Sequence, residues 1–201
     1  MTDQIKEVYN YCLEDKFQLE DLKQRKLYIN FEIDETLLND ITYHILRFNT
    51  EDKGKPIEER KPILLYCTSV GGSLIDGFSL IDIILASKTP VYTVNIGYWY
   101  SMGLHIGLAG HKRFATKNAT CLLHDGQNFA YNSSGKLKDQ MKFQDEQEKR
   151  IKEYVLSRTK LTSEEYDDNY RVEWYMYANQ AKEKGMIDYV VGLDCSLEEI
   201  I

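Results

Sequence analysis

The chain predicts an α/β protein built on a mostly parallel sheet, and three observations carry that expectation. Apolar runs of strand length recur at residues 27–33, 62–67, 90–96 and 119–123. Stretches whose apolar residues return every three or four positions separate them, the spacing of a helix with one buried face. Strands joined through helices pair in parallel by right-handed crossovers, so the alternation itself implies the sheet. With 201 residues the length fits one domain. The expected organisation is an arm or helix over residues 1–25 and a single domain over 26–201.

Residues 1–25 are charged and weakly amphipathic, with Val8, Tyr9, Cys12, Phe17, Leu19 and Leu22 spaced for a short helix or an ordered arm. Residues 27–33 alternate apolar and polar like a strand. Asp34 can then cap a helix whose Leu37, Leu38, Ile41, Ile45 and Phe48 share a face. Charge, Gly54 and Pro56 make residues 53–61 a loop, and 62–67 read as a strand covered on both faces. A turn at 69–73 leads into an apolar helix over 74–87 and a strand over 90–96. The small-residue run after Ser101 predicts another helix, residues 112–114 a strand approaching the sheet edge, and 119–123 one more strand.

Residues 136–158 are of another kind, charged on most faces with only Leu137, Met141, Ile151 and Val155 as a thin apolar stripe. Such a helix either projects toward a partner or lies solvated on the surface. Thr162 to Glu165 spell a capping box that opens a further helix. The segment 177–184 is expected to be helical and to stop at Gly185, a natural cap, before the apolar 186–191.

A net charge of −7 argues against nucleic acid as a partner, because phosphate recognition needs a clustered basic surface. No apolar run approaches the roughly 20 residues that span a bilayer. The opening Met-Thr-Asp-Gln-Ile-Lys-Glu lacks the basic and apolar regions of a secretory leader, so a cytoplasmic protein without membrane partners is expected. Cys12, Cys67, Cys121 and Cys195 form no Cys-x-x-Cys pair and suggest neither a zinc site nor a disulfide framework. No metal or cofactor is expected.

Chemistry concentrates around Ser101, where an aromatic β-rich run, Tyr98-Trp99-Tyr100, breaks at one hydroxyl and becomes a helix. A serine there presents its oxygen at the sheet rim beside free backbone N–H groups. The simpler alternative is a helix N-cap. A serine nucleophile needs a base, and His124 ends a strand expected beside the one that precedes Ser101. Carboxyl ends of parallel strands gather on one rim. His44 reads as a surface or interface residue in mid-helix, His111 as a turn residue, and His105 as packing along the helix one turn past Ser101. Gly71 and Gly72 follow a strand and precede a helix without the lysine of a phosphate loop. They are either a tight turn or a close approach in which the N–H groups of Gly72 and Met102 form an oxyanion hole.

Taken in order, these pieces resemble the proteolytic subunit of the ATP-dependent Clp protease, in the crotonase-like superfamily, over residues 27–191. The carriers are Ser69-Val-Gly-Gly-Ser73 with Gly77, Tyr100-Ser-Met-Gly103, Ala109 to Phe114, Asn118 to His124, the charged helix from Lys136, and Ala181 to Asp188. The resemblance implies a serine endopeptidase with Ser101 as nucleophile, His124 as general base and Gly72 and Met102 as oxyanion donors. It implies a projecting handle over residues 125–158, a seven-membered ring, single or doubled, that encloses the sites, peptide or unfolded-protein substrates and an AAA+ unfoldase as partner. The family's third catalytic residue is an aspartate; Glu173 occupies the matching position, with Asp168 and Asp167 as alternatives. Val70 stands in place of a proline, Asp125-Gly126 in place of Gln-Pro, and the first 25 residues do not resemble the family's axial loop. The bulk of Tyr98, Trp99 and Tyr100 is expected to narrow the pocket beside the serine. A catalytically impaired ring subunit or scaffold, and an acyl-CoA-processing crotonase relative, are the other readings.

Overall fold

A computed structural model describes residues 13–126 and 133–201. Val8, Tyr9, Cys12 and the stretch 127–132 of the expected handle lie outside the described residues. Helix α1 (Leu13–Lys23) leads into β1 (Lys26–Ile29). The following segment winds as a short π-helical stretch, Leu38–Thr42, before becoming α2 (Tyr43–Glu51). Asp34 does not cap this helix directly; its carboxylate closes a local turn by accepting from the Thr36 N–H and hydroxyl at 2.9 and 2.6 Å. The wider winding rotates the face, so Leu37, Ile41, Ile45 and Phe48 are buried while Leu38 is exposed.

β2 (Ile63–Ser69), α3 (Leu74–Ala86), β3 (Val91–Tyr100), α4 (Met102–Leu108), β4 (Lys112–Thr116) and β5 (Thr120–Leu123) follow. Helices α5 (Ser134–Arg158) and α6 (Ser163–Tyr170), strand β6 (Trp174–Tyr177), α7 (Ala178–Glu183) and β7 (Tyr189–Val191) complete the order, with a short helical turn at Leu197–Ile200. The main path of the sheet runs β1-β2-β3-β4-β7, all parallel. β4 is therefore internal rather than near the edge, because the three-residue β7 covers its free side.

β3 is long enough to serve two neighbours. Its first half pairs with β4, Tyr92 to Asn95 against Lys112 to Ala115, and its second half pairs with β5, Tyr98 to Tyr100 against Thr120 to Leu122. The sheet forks there. Buried Asn95 closes the fork by donating to the Thr120 carbonyl at 3.0 Å and accepting from the Gly97 N–H at 3.1 Å. β6 then adds antiparallel to β5.

One large apolar core lies between the sheet and helices α2, α3 and α4, where all seven residues of α4 are buried. A smaller cluster of Leu64, Tyr66, Val94 and Phe114 occupies the opposite face under Ile200. The chain is tied at the bottom by Arg25, whose guanidinium pairs with the wholly inaccessible Asp52 carboxylate at 2.5 and 2.9 Å. Asp52 also accepts from Lys55 at 2.8 Å and Thr89 at 3.1 Å, and these charges hold its carboxyl well below the usual range. Helix α5 buries only Ile151 and Val155, near its C-terminal end, and leaves Met141 and Phe143 exposed. That end is anchored by Arg158, which donates to the carbonyls of Leu108 and Gly110 at 2.9 and 2.8 Å.

Candidate active site

β3 and β5 are parallel neighbours, so the residues that leave their carboxyl ends emerge on one rim. Ser101 leaves β3 and His124 leaves β5. The Ser101 N–H continues the ladder by donating to the Leu122 carbonyl at 3.1 Å. Its backbone then takes φ +53° and ψ −123°, a region L-residues enter only under constraint, and α4 begins at the next residue. The strained turn lifts the hydroxyl off the strand path, where a relaxed backbone would continue the pleat.

β6 supplies the third group. Antiparallel pairing sets Leu123 opposite Trp174, so the residue after one strand faces the residue before the other. His124 and Glu173 meet in this way, with His124 Nδ1 and Glu173 Oε1 2.9 Å apart. The imidazole holds the Glu173 carboxyl below its ordinary range. Asp167 is drawn away to Lys152, at 2.6 and 2.7 Å, and Asp168 is exposed on α6 without a bond to His124. Of the three candidate carboxylates, only Glu173 reaches the histidine.

On the other side of Ser101 lies the turn after β2. Gly71 and Gly72 have φ of +103° and +143°, open to glycine and strained for other residues. A Cβ on Gly71 would come 2.7 Å from Ser101 Cβ and 2.9 Å from Met102 N, and one on Gly72 would strike the backbone of Ile33. The turn is clamped by two bonds across Ile33, which donates to the Gly71 carbonyl at 2.8 Å and accepts from the Ser73 N–H at 2.7 Å. Neither the Gly72 N–H nor the Met102 N–H has a backbone acceptor among the described residues. The Met102 N–H directly follows Ser101, and Gly71, the residue before Gly72, packs against Ser101.

Ser101 and His124 line one cavity of about 30 Å³, without a hydrogen bond between them. The strand-end aromatics do not form its walls. Trp99 turns inward, fully buried, and donates to the Cys67 carbonyl at 3.1 Å, while Tyr100 bonds to Thr120 at 3.0 Å and meets Tyr175 edge-on. The expected narrowing by these residues does not occur, because period-two alternation sends them to the core or to the β5-β6 branch. Gln144, Gln147 and Glu148 of α5 close the cavity instead, together with His105. Sequence reasoning favours packing for His105 and keeps it as the control for the base because it lies close to Ser101. The spacing of one turn from Ser101 is legible in the sequence, but that the imidazole also lines the cavity is seen only in the fold.

The other two histidines have structural settings. His111 Nδ1 accepts from the Val91 N–H at 3.1 Å, and His44 is half-buried on α2, far in sequence and topology from the rim. Among the described residues no cluster of His, Cys, Asp and Glu is arranged to hold a metal ion. No helix among them is long and apolar enough to cross a membrane.

Comparison with known proteins identifies the family. The family model described as Clp protease matches residues 14–194. The chain is similar to the ATP-dependent Clp protease proteolytic subunit 2 of Tropheryma whipplei, with 30% identity over 172 residues that cover 84% of this chain and 92% of the relative. It is also similar to the ATP-dependent Clp protease proteolytic subunit 1 of Shouchella clausii, with 28% identity over 177 residues, covering 85% and 86%. A mostly parallel sheet with flanking helices, matched along nearly its whole length, is the crotonase-like fold in its proteolytic form, and the chain belongs to the Clp protease family of serine-type endopeptidases.

Proposed function

We propose that the chain hydrolyses peptide bonds with Ser101 as nucleophile, His124 as general base and Glu173 as the carboxylate that orients it. The observation that carries this reading is the 2.9 Å contact between His124 Nδ1 and Glu173, on an imidazole that shares a cavity with the Ser101 hydroxyl. With Nδ1 committed to Glu173, Nε2 is the nitrogen left to accept a proton from the serine. As the hydroxyl oxygen bonds to the scissile carbonyl carbon, that proton passes to Nε2 and the carbonyl oxygen becomes an anion. The N–H groups of Gly72 and Met102 stabilise it. Collapse of the tetrahedral species breaks the C–N bond, and the imidazolium returns its proton to the leaving amine. Water, activated by the same histidine, then releases the acyl group. No cofactor enters this sequence.

The same reading takes residues 26–201 as one domain, with 125–158 as a handle through which copies of the chain meet. Support comes from α5, where Met141 and Phe143, away from the anchored end, stand exposed among the described residues and would gain cover from a neighbouring copy. The assembly proposed is a heptameric ring, single or doubled, in the cytoplasm, fed unfolded chains by an AAA+ unfoldase. A second reading, a scaffold subunit without activity, is favoured by the missing hydrogen bond between Ser101 and His124. Catalytic hydrogen bonds are often long until substrate binds, so the first reading stands ahead.

Labelling with a fluorophosphonate separates the two. Uptake of label by the parent, lost in Ser101→Ala and reduced in His124→Ala, is the expected result. A folded, assembled parent that takes no label and cleaves no peptide overturns the hydrolase reading in favour of the scaffold.

A further inference from the structure

We propose that His105 is a specificity-determining residue: its buried imidazole hydrogen-bonds the substrate side chain that enters beside Ser101, favouring glutamine and asparagine on the acyl side of the cut bond. The inference rests on Ser101 being the nucleophile.

His105 lines the cavity it shares with Ser101 and His124, and it is only 4% exposed. Neither Nδ1 nor Nε2 has a hydrogen-bond partner among the described residues. A buried polar ring of this kind is uncommon, because each unmatched group carries a desolvation cost with nothing returned. The ring is also held in place rather than free to seek a partner. It stacks on Phe78 with centroids 6.4 Å apart; Phe78 meets Tyr154 edge-on, and the Tyr154 hydroxyl donates to the His105 carbonyl at 2.8 Å. Helix geometry fixes it one turn from the nucleophile, with its N–H on the Ser101 carbonyl at 3.2 Å.

Burial, with a smaller contribution from the charge of His124, pushes the imidazole down to about 4, so near neutral pH it carries one donor and one acceptor. A primary amide answers both with its own acceptor and donor on a single planar group. The facing wall repeats that chemistry in Gln144 and Gln147, both half-buried on α5. At about 30 Å³ the cavity is too small for a side chain, so Gln144, Gln147 and Glu148, all with a solvent side, must turn outward when substrate binds. An aliphatic side chain in the same place would seal the imidazole away from water and leave it unmatched, the situation in which polar sites discriminate most strongly.

The experiment compares internally quenched peptides that differ only in the residue before the cleaved bond, glutamine, asparagine, leucine or methionine, on the assembled protein, with active sites counted by fluorophosphonate. The parent is expected to favour glutamine over leucine by about tenfold in kcat/KM, one net hydrogen bond. His105→Phe, planar and able to stack on Phe78, should abolish or reverse that ratio, and His105→Gln should keep most of it. Equal cleavage after leucine and glutamine by the parent, or an unchanged ratio in His105→Phe, overturns the proposal. Binding of the same uncleaved peptides to Ser101→Ala, read by fluorescence anisotropy, gives the preference independently of turnover. Discrimination that depends on His105 there supports the specificity role, and none refutes it, while a parent that hydrolyses nothing counts against the nucleophile assignment.

Discussion

Substituting Gly71 by alanine tests whether the turn after β2 sets the position of the nucleophile. The change costs twice. At φ +103° an alanine is strained by about 1–3 kcal/mol, which lowers stability. Its Cβ would also sit 2.7 Å from Ser101 Cβ and 2.9 Å from Met102 N. Relaxed carbon pairs stand about 3.5–4.0 Å apart, so roughly 1 Å must be absorbed by the serine, the first donor of α4 or the glycine turn itself. Ile33 clamps that turn from behind, which directs the displacement toward Ser101 and Met102. Misplacing reacting groups by about 1 Å costs on the order of 100-fold in rate. Gly54→Ala supplies the control, for it shares the positive φ, +91°, but has no atom within 4 Å of its new Cβ. Both variants should lose stability in urea denaturation, and only Gly71→Ala should lose kcat/KM per folded site. Hydrolysis by Gly71→Ala at the parent rate would refute a positioning role for this turn.

Glu173→Gln keeps the reach to His124 but removes the charge, and is expected to lower kcat by roughly 10²- to 10⁴-fold in peptide hydrolysis, with Asp168→Asn at the parent rate. Asp52→Asn leaves the buried Arg25 guanidinium with only the more distant Glu51, at 3.9 Å, as counter-charge; chemical denaturation should show a loss of about 3 kcal/mol with no change in peptide selectivity. His105 gives a pH signature. Its folded value lies at about 4, below the ordinary 6.5, so between the two the unfolded chain binds a proton that the folded chain does not. Stability should therefore fall as pH drops through that window, by about 1.4 kcal/mol per unit and roughly 3 kcal/mol in all, and His105→Phe should remove that part of the slope.

Strands β2, β3 and β5 are legible in the sequence because their apolar runs are bounded by turns, and α3 because its spacing is regular. β6 is not: four residues, Trp-Tyr-Met-Tyr, are too few to show alternation, and their pairing with β5 is a long-range fact. For the same reason only the family resemblance points to Glu173, while local residue pattern says nothing of it. The antiparallel register that sets it against His124 exists only once β6 is seen. Leu38 falls on the buried face of a uniform α-helix, and a π-helical turn moves it to solvent. β4 reads as lying near an edge because the strand that covers it, β7, is only three residues long. Size alone is a poor guide to the aromatics before Ser101, whereas the direction of each side chain along an extended strand decides what it fills.

The forked sheet carries a consequence for control of catalysis. Imidazole and carboxylate both ride on the β5-β6 arm, whereas the hydroxyl belongs to the trunk strand that the arm joins. Any tilt of the arm would carry the proton acceptor and its orienting anion together, keeping their contact intact while changing a single gap, that between oxygen and ring. Asn95, stitched across the crotch of the fork by its bonds to Thr120 and Gly97, is a side chain that ties arm to trunk.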